Sequence, residues 1–299
     1  MSHSAEFAKS LETVTQHVLG RYQELSTLDT LPPREAIAKT ISSLPAVLPD
    51  KGLGTAETTS YLLETLLPGC LPGQPGPRYF GFVTGGVTPS AQLADILAGS
   101  YDENVQMTLP GATASTAVEA RTLDLVLDLL SIRRENFTGR TITTGATASN
   151  VLGLGEWTTP MPELIIACAR DYLYSISPHL PFGYSYAQDG PPCGANLPSP
   201  PVIILALHPH FSITKAAGLV GLGAGPRIVH TIPPAQDDEL AFDLIVLEER
   251  LRKEKEVGRG VIVSYGLGEV NTGGFGKGLE DVARLCKSYD AWLHVDAGK

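Results

Sequence analysis

Four short stretches of the sequence combine small, polar or charged residues that could do chemistry together. They are the turn TTGATASN (143–150), the segment LHPHFSITKAAG (207–218), the glycine-rich segment SYGLGEVNTGGFGKG (264–278) and the acid Asp296, which ends AWLHVD. Each stretch follows or ends a strand-like apolar run. This shared position indicates that the four stretches contribute to a single site.

The first stretch is suited to an anion. Small residues let the backbone approach a ligand closely, and the start of the following helix offers unpaired N–H groups and a positive dipole end. The amides near Ala146, Thr147 and Ala148 would therefore hold a phosphate. An ordinary tight turn with a threonine cap is the alternative interpretation.

The second and third stretches allow several kinds of ligand. His210 follows an apolar run, where an imidazole can stack on a ring, shuttle a proton or bind a metal ion, unless it is a plain surface histidine. The glycine-rich stretch is not a nucleotide-binding P-loop, because Gly278 stands where Ser or Thr should follow Lys277. Its glycines still let the backbone pass close to a ligand.

Asp296 ends an apolar strand, where a carboxylate is costly unless it meets a cation or hydrogen-bond donors. A protonated pyridine nitrogen would be such a partner, and a structural bond to a neighbouring loop is the alternative. A phosphate turn, a stacking imidazole and an acid at three strand ends together describe a site for pyridoxal 5'-phosphate (PLP). The acid would keep the ring nitrogen protonated, which makes the ring an electron sink.

The order of the elements would bring these strand ends together. From about Ala114, helical stretches alternate with strand-like runs, which predicts an α/β fold with a mostly parallel sheet covered by helices on both faces. Ligands in such sheets lie at the carboxyl ends of the strands. The predicted strands are RTITTG, ELIIACA, PVIILAL, RIVHTI, GVIVSYG and AWLHVD. Residues 1–76 instead indicate an N-terminal arm of separate helices, which leaves 77–299 for the sheet domain.

The composition disfavours several classes of protein. The formal net charge of −10 makes nucleic acid an unlikely partner, because an acidic surface repels phosphates. The longest apolar run, Val202–Leu207, is too short to cross a bilayer, and the N-terminus lacks a secretory signal. The four cysteines have no zinc-like spacing. We therefore expect a cytoplasmic protein with reduced thiols, no metal site and no membrane contact.

The same motifs, in the same order, resemble those of the group II PLP-dependent amino-acid decarboxylases, which include the aromatic-amino-acid, tyrosine, glutamate and histidine enzymes. GATASN is similar to the family's phosphate turn, HFSITKAAGLVGLG to its ring-stacking histidine segment, GLGEVNTGGFG to its glycine-rich turn and WLHVDAG to its aspartate strand. PRYFGFVTGGVTPSAQLADILAGSYDENV is similar to its substrate-side loop and the helix that follows. The resemblance extends from about Pro77 to Ala297.

The resemblance implies a fold-type-I PLP enzyme that decarboxylates an L-amino acid, with an aromatic substrate such as tyrosine as the first expectation. The phosphate would be held by Ala146, Thr147 and Ala148, and the ring would stack against His210. The pyridine nitrogen would pair with Asp296, and Ala297 would pack beneath the ring. The substrate would contact Tyr79, Phe80 and Phe82. Family members are homodimers, so a homodimer is implied for the full-length protein.

The sequence departs from the family's pattern at three positions, and it ends before the family's Schiff-base lysine. Glu269 replaces a threonine, Gly276 an aspartate and Gly298 an alanine. The lysine, a mobile catalytic loop and a small C-terminal domain would follow Lys299. We therefore expect a C-terminally truncated decarboxylase whose last two residues are translated intron. The alternatives are a non-catalytic relative that binds PLP or a partner, and an oxidative deaminase on the same scaffold.

Overall fold

The computed structural model describes residues 3–81, 85–103, 108–109, 111–137, 139–154, 157–158, 165–166, 169–194 and 196–298. The chain forms two compact units, Met1–Asn104 and Val105–Lys299. The predicted division between residues 76 and 77 falls inside the first unit and stays a prediction. Across the residues described, no helix is both long enough and apolar enough to cross a membrane.

The first unit is helical, as the sequence predicts for the start of the chain. Its α-helices are α1 (His3–Glu24), α2 (Arg34–Ser43), α3 (Gly54–Tyr61) and α4 (Pro89–Tyr101). A π-helical turn, Leu62–Leu66, and a 3-10 turn, Leu67–Gly69, follow α3. Helix α4 begins where the sequence predicts, because the Thr88 hydroxyl accepts a hydrogen bond from the Ala91 amide at 3.4 Å and Pro89 occupies the first turn.

The second unit alternates helices and strands. Its described α-helices are α5 (Ser115–Leu129), α6 (Ala146–Leu154), α7 (Ala169–Ser175), α8 (Tyr186–Asp189), α9 (Phe211–Leu219), α10 (Leu244–Glu256) and α11 (Leu279–Ser288). Its described strands are β1 (Trp157–Thr158), β2 (Ile165–Ile166), β3 (Val202–Ala206), β4 (Val229–Thr231), β5 (Pro234–Ala235), β6 (Asp238–Phe242), β7 (Gly260–Gly266) and β8 (Trp292–Asp296).

Four of these strands form a parallel sheet in the order β4–β3–β7–β8. Ala206 of β3 lies opposite Ser264 of β7, and Gly266 of β7 lies opposite Asp296 of β8. The carboxyl ends of the strands therefore meet at one edge of the sheet, the position where ligands bind in α/β folds. The predicted mostly parallel sheet is confirmed.

Helices cover both faces of this sheet, because alternate residues of each central strand point to opposite sides. In β3, Val202 and Ile204 belong to a buried cluster that includes residues of α6, α7 and α9. Ile203 and Leu205 belong to a second cluster that includes residues of α10 and α11. This two-sided burial explains why the strand is apolar along its whole length, and it fixes the register of the sheet edge that carries the polar residues.

Two of the strand predictions do not match the structure in full. RTITTG is wrong as a strand: Arg140–Gly145 is irregular, and Thr143 Oγ1 instead donates to the Gly145 carbonyl at 3.1 Å in a turn before α6. A lone extended segment is unstable without a neighbouring strand, and the described sheet places none beside it. Of ELIIACA (163–169), the structure describes the short strand β2, which pairs with β1 in antiparallel fashion, and Ala169, which is the first residue of α7 and not part of a strand. The antiparallel pair β5–β6 was not predicted.

Candidate functional site

A pocket opens at the carboxyl edge of the sheet, where β3, β7 and β8 end. Its titratable side chains are His208, His210, Glu269 and Asp296. The remaining lining residues are Leu207, Pro209, Ile213, Leu240, Ser264, Gly266, Gly268 and Gly276. Residues that are up to 89 positions apart in the sequence, from Leu207 to Asp296, therefore meet in one cavity of the second unit.

Asp296 reaches this pocket from the last position of β8. The carboxylate is 9% exposed, and both of its oxygens accept hydrogen bonds. Oδ2 accepts from Asn150 Nδ2 at 3.3 Å, and Oδ1 accepts from the Gly298 amide at 3.1 Å. Each carboxylate oxygen has two acceptor positions, so Asp296 can take a further donor from the pocket.

His210 is placed by the start of α9. It is the N-cap residue of that helix, and its Nδ1 atom accepts from the Ser212 amide at 3.4 Å. The Ser212 hydroxyl lies 2.7 Å from the same nitrogen. The sequence predicts that a helix follows His210; the structure shows in addition that the imidazole itself caps the helix. The ring is thereby held at the rim of the pocket, with its Nε2 side away from the capping bonds.

The turn that the sequence predicts to bind an anion forms the start of α6, and its anion-binding role stays a prediction. Ala146, Thr147 and Ala148 form its first turn, and the Ser149 amide makes the first helical bond, to Gly145, at 3.1 Å. The three preceding amides therefore lie before the helix's own hydrogen bonds. A Cβ atom on Gly298 would lie 3.0 Å from Ala146 Cβ and 3.2 Å from Asp296 Oδ1. Glycine thus lets the end of β8 and the start of α6 approach closely, and the alanine usual in the family would be crowded here.

A buried polar pair that the sequence did not predict, His294 and Asn150, connects Asp296 to Ser212, which in turn contacts His210. His294 Nε2 lies 2.8 Å from Asn150 Oδ1, and Asn150 Nδ2 donates to Ser212 Oγ at 3.1 Å as well as to Asp296. Burial lowers the pKa of His294 below its usual 6.5, and the charge of Asp296 opposes that shift. The available signal was spacing: His294 stands two residues before Asp296, on the same face of the strand.

Gly153 makes room for this arrangement. A Cβ atom at this position in α6 would lie 2.8 Å from His294 Cε1 and 3.0 Å from His294 Nδ1. Such distances are shorter than normal carbon contacts, so α6 can lie against the imidazole only because this residue has no side chain.

The two departures from the family's pattern in the glycine-rich turn have local explanations. Glu269 folds back onto its own turn and accepts bonds from the Asn271 and Thr272 amides and from the Thr272 hydroxyl. These bonds, above all those from the Asn271 amide and the Thr272 hydroxyl, lower the pKa of Glu269 to about 2. A Cβ atom on Gly276 would lie 2.5 Å from the Gly266 carbonyl oxygen and 2.8 Å from Tyr265 Oη. The aspartate expected at this position would therefore require the turn to change shape.

The remaining predicted residues lie in several places. Ala297 follows β8 and is exposed. Tyr79 is half-buried and Phe80 is 91% exposed, and both belong to the first unit. Phe82 lies outside the described residues. The roles predicted for these four residues stay predictions.

Comparison with known proteins shows the fold. No protein-family model matches the chain. Tryptophan decarboxylase of Catharanthus roseus, solved with L-tryptophan, has a TM-score of 0.71 at 16% identity, and the match covers 98% of this chain and 57% of that one. Oryza sativa TDC, solved with PLP and tryptamine, gives 0.71 at 19% identity, with 98% and 57% covered. The glutamate decarboxylase domain of diaminobutyrate-pyruvate transaminase and L-2,4-diaminobutyrate decarboxylase from Vibrio parahaemolyticus has a TM-score of 0.74 at 20% identity. That match covers 99% of this chain and 58% of the other.

The predicted fold-type-I architecture of the PLP-dependent decarboxylases is therefore confirmed. The chain spans a little over half the length of these solved structures.

Proposed function

We propose that this protein binds PLP at the carboxyl edge of its sheet and that it is part of an L-amino-acid decarboxylase. The observation that carries the proposal is the presence of the Asp296 carboxylate and the His210 imidazole in one pocket. An acid that is buried at a strand end and still has acceptor positions suits a protonated ring nitrogen. An imidazole at the same pocket suits the face of an aromatic ring.

The proposal assigns a group of residues to each end of PLP, with Asp296 in the pocket lining and the start of α6 outside it. The amides of Ala146, Thr147 and Ala148 would bind the phosphate, with help from the positive end of the α6 dipole. Asp296 would accept the N–H of the pyridinium, and its bonds from Asn150 and Gly298 hold the carboxylate in place for that purpose. When bound, PLP supplies an electron sink for the pair of electrons that remains after CO2 leaves.

The finer parts of the proposal concern the substrate, the assembly and the compartment. We propose an aromatic L-amino acid, with Tyr79, Phe80 and Phe82 as substrate-side residues, and the solved structures with L-tryptophan and with tryptamine support this choice. We also propose a homodimer, which is supported by the exposed apolar residues along α1, such as Phe7 and Leu11. A cytoplasmic location agrees with the free thiols of Cys70, Cys193 and Cys286, because cysteines generally stay reduced in the cytoplasm.

The test is titration of the purified chain with PLP, followed by absorbance and by the quenching of tryptophan fluorescence. Saturable binding is expected in the wild type. Asp296→Asn should weaken binding by about tenfold or more, because the ring nitrogen loses its charged partner. Asn136→Asp is the control, because Asn136 is exposed in a short helical turn of the same unit. Equal affinity in the wild type and in Asp296→Asn would contradict the proposal.

A second candidate is reversible PLP binding without turnover. It is favoured by the chemistry of the described pocket lining, whose titratable side chains are two imidazoles and two carboxylates, none of which forms a stable imine with an aldehyde. Borohydride treatment of the PLP complex separates the candidates. A PLP-labelled lysine together with release of CO2 and amine from tyrosine or tryptophan supports the decarboxylase. Reversible binding with neither label nor amine supports the non-catalytic protein.

A further inference from the structure

Five side chains form a continuous polar network that extends from the pocket lining into the buried interior: His210, Ser212, Asn150, Asp296 and His294. They come from β8, α6 and the start of α9, and four of them are at most 9% exposed. A polar group in such a place is costly unless each donor meets an acceptor. The directions of the hydrogen bonds can therefore be assigned from one end of the network to the other.

The assignment starts at Asp296, because a carboxylate oxygen only accepts. The Asn150 atom that lies 3.3 Å from it must be the amide nitrogen, so the amide oxygen faces His294. His294 Nε2 therefore carries a proton and donates to Asn150 Oδ1 over 2.8 Å. The orientation of the amide is thus fixed by its two ends, and the second N–H of Asn150 is left to point at Ser212.

The assignment then reaches His210. Ser212 Oγ accepts from Asn150 at 3.1 Å, so its own proton is free to donate to His210 Nδ1, 2.7 Å away. The Ser212 amide donates to the same Nδ1 atom at 3.4 Å. With two donors aimed at it, Nδ1 is the unprotonated nitrogen, and the proton of the neutral ring lies on Nε2.

We propose that Asn150 is a positioning residue that couples Asp296 to His210 through Ser212: it holds the carboxylate in place and, together with the Ser212 amide, keeps the pocket imidazole in its Nε2–H form. This inference deepens the proposed function, on which it rests. It gives one side chain control over both groups that would contact the cofactor ring. Asn150 contacts Asp296 directly and His210 through Ser212, so its effect on the ring would be exerted through those two side chains.

The test reads the protonation of His210 directly, in the full chain without PLP. Long-range proton–nitrogen NMR spectra of the ¹⁵N-labelled protein distinguish protonated from unprotonated ring nitrogens, and the His210→Gln spectrum identifies the His210 signals among the seven histidines. The wild type should show an unprotonated Nδ1 and a protonated Nε2. A wild-type spectrum with a protonated Nδ1 would overturn the proposal without any further variant.

Two substitutions of Asn150 change the network in different ways. In Asn150→Asp, an oxygen replaces the nitrogen that faces Ser212 and Asp296. That oxygen would share a proton with the Asp296 carboxylate and accept a hydrogen bond from the Ser212 hydroxyl, so His210 Nδ1 loses its shorter donor and the Nδ1–H form should gain population. In Asn150→Ala, the Ser212 hydroxyl is no longer oriented by Asn150, which leaves only the longer bond from the Ser212 amide to fix Nδ1, so the Nδ1–H form should gain population to a smaller extent. Asn150→Ala decides the matter if Asn150→Asp does not fold. Asn136→Asp is the matched control and should leave the His210 signals unchanged.

A merely structural role for Asn150 predicts another result. The folded variants would then lose stability and keep the wild-type His210 signals, which would overturn the proposal. PLP titration adds an independent readout, in which Asn150→Ala should bind about tenfold more weakly, equivalent to one hydrogen bond to a charged group. If the wild type and the Asn150 variants show the expected signals but the wild type does not bind PLP, the proposed function fails while the coupling of His210 to Asn150 is supported.

Discussion

The two compact units treat their apolar side chains in opposite ways. In the second unit, apolar residues fill both faces of the sheet, and Ile204 and Leu247 are fully buried. In the described part of the first unit, 3–81 and 85–103, no apolar side chain is buried, and Phe7 and Leu11 are 60% and 50% exposed. The difference indicates that the second unit has a core of its own, whereas the helices of the first present an apolar surface that suits a further partner.

The largest expected effect compares the same truncation in the two units. Leu247→Ala should lower the free energy of unfolding of the second unit by about 3 kcal/mol, because it leaves a cavity between α10 and the sheet. Leu11→Ala should change the free energy of unfolding of the first unit by less than about 0.5 kcal/mol. Both tryptophans, Trp157 and Trp292, lie in the second unit, so their fluorescence reports on that unit during urea unfolding, while circular dichroism follows the helices.

The truncation at Leu11 also tests the idea of an uncovered surface. A loss of 2 kcal/mol or more in Leu11→Ala, roughly that of a buried leucine, together with a dependence on protein concentration, would show that α1 is buried against another chain in solution. The contrast between the units would then disappear, and the proposed homodimer would gain direct support.

A second comparison uses one substitution with opposite expected signs. Gly153→Ala should destabilise the second unit by about 2 kcal/mol, because the new methyl group would meet His294 Cε1. Gly20→Ala in α1 should stabilise its helix by about 0.8 kcal/mol, because nothing lies within 4 Å of the added atom and alanine favours helix. Thermal unfolding followed by circular dichroism measures both. The same sign for the two variants would contradict the packing described for α6.

A third comparison concerns helix caps. The Asp243 carboxylate accepts from the Ile245 and Val246 amides at 3.0 and 3.1 Å at the start of α10, whereas Thr88 accepts one longer bond at the start of α4. Asp243→Ala should therefore cost about 1 kcal/mol, and Thr88→Ala about half of that. Urea unfolding midpoints distinguish the two. A larger loss at Thr88 would show that α4 is held more firmly than its exposed side chains indicate.

The smallest expected effect is a pH dependence confined to the second unit. His294 has a folded-state pKa below 6.5, so the unfolded chain takes up its proton first as the pH falls. The stability present above about pH 6.5 should therefore be lost progressively below it, as the pH approaches the folded-state pKa. His294→Gln should flatten this part of the urea-midpoint profile between about pH 5 and pH 8. The control His230→Gln, on β4, should keep the wild-type slope, and an unchanged slope in His294→Gln would exclude His294 as the cause.

Much of the second unit could be predicted from the sequence because its signals are local. The apolar runs that form β3, β7 and β8 and the periodic helices α9, α10 and α11 indicate their own conformation. In the first unit, the cap at Thr88 predicts the start of α4 in the same local way. The run RTITTG misled because a strand depends on a neighbour, which no local pattern reveals. The pair β5–β6 gives no clear pattern because β5 has only two residues, one of them a proline.

The site divides in the same way. Asp296 and His210 were found because they follow apolar runs, and the structure brings both into one pocket. Asn150 lies in the predicted turn, but its side-chain partners lie 62 to 146 residues away. Burial alone shows that its amide must find acceptors, and only the packing of α6 against α9 and β8 shows which ones. Contacts at such separations cannot be read from periodicity.

The separation of 146 residues between Asn150 and Asp296 also sets an order of events during synthesis. A ribosome adds about 5 to 20 residues each second, so Asn150 is added to the chain roughly 7 to 30 seconds before Asp296. Throughout that interval α6 has no carboxylate or imidazole from β8 to bond with. The contacts that hold Asp296 in the pocket can therefore form only after β8 has been made.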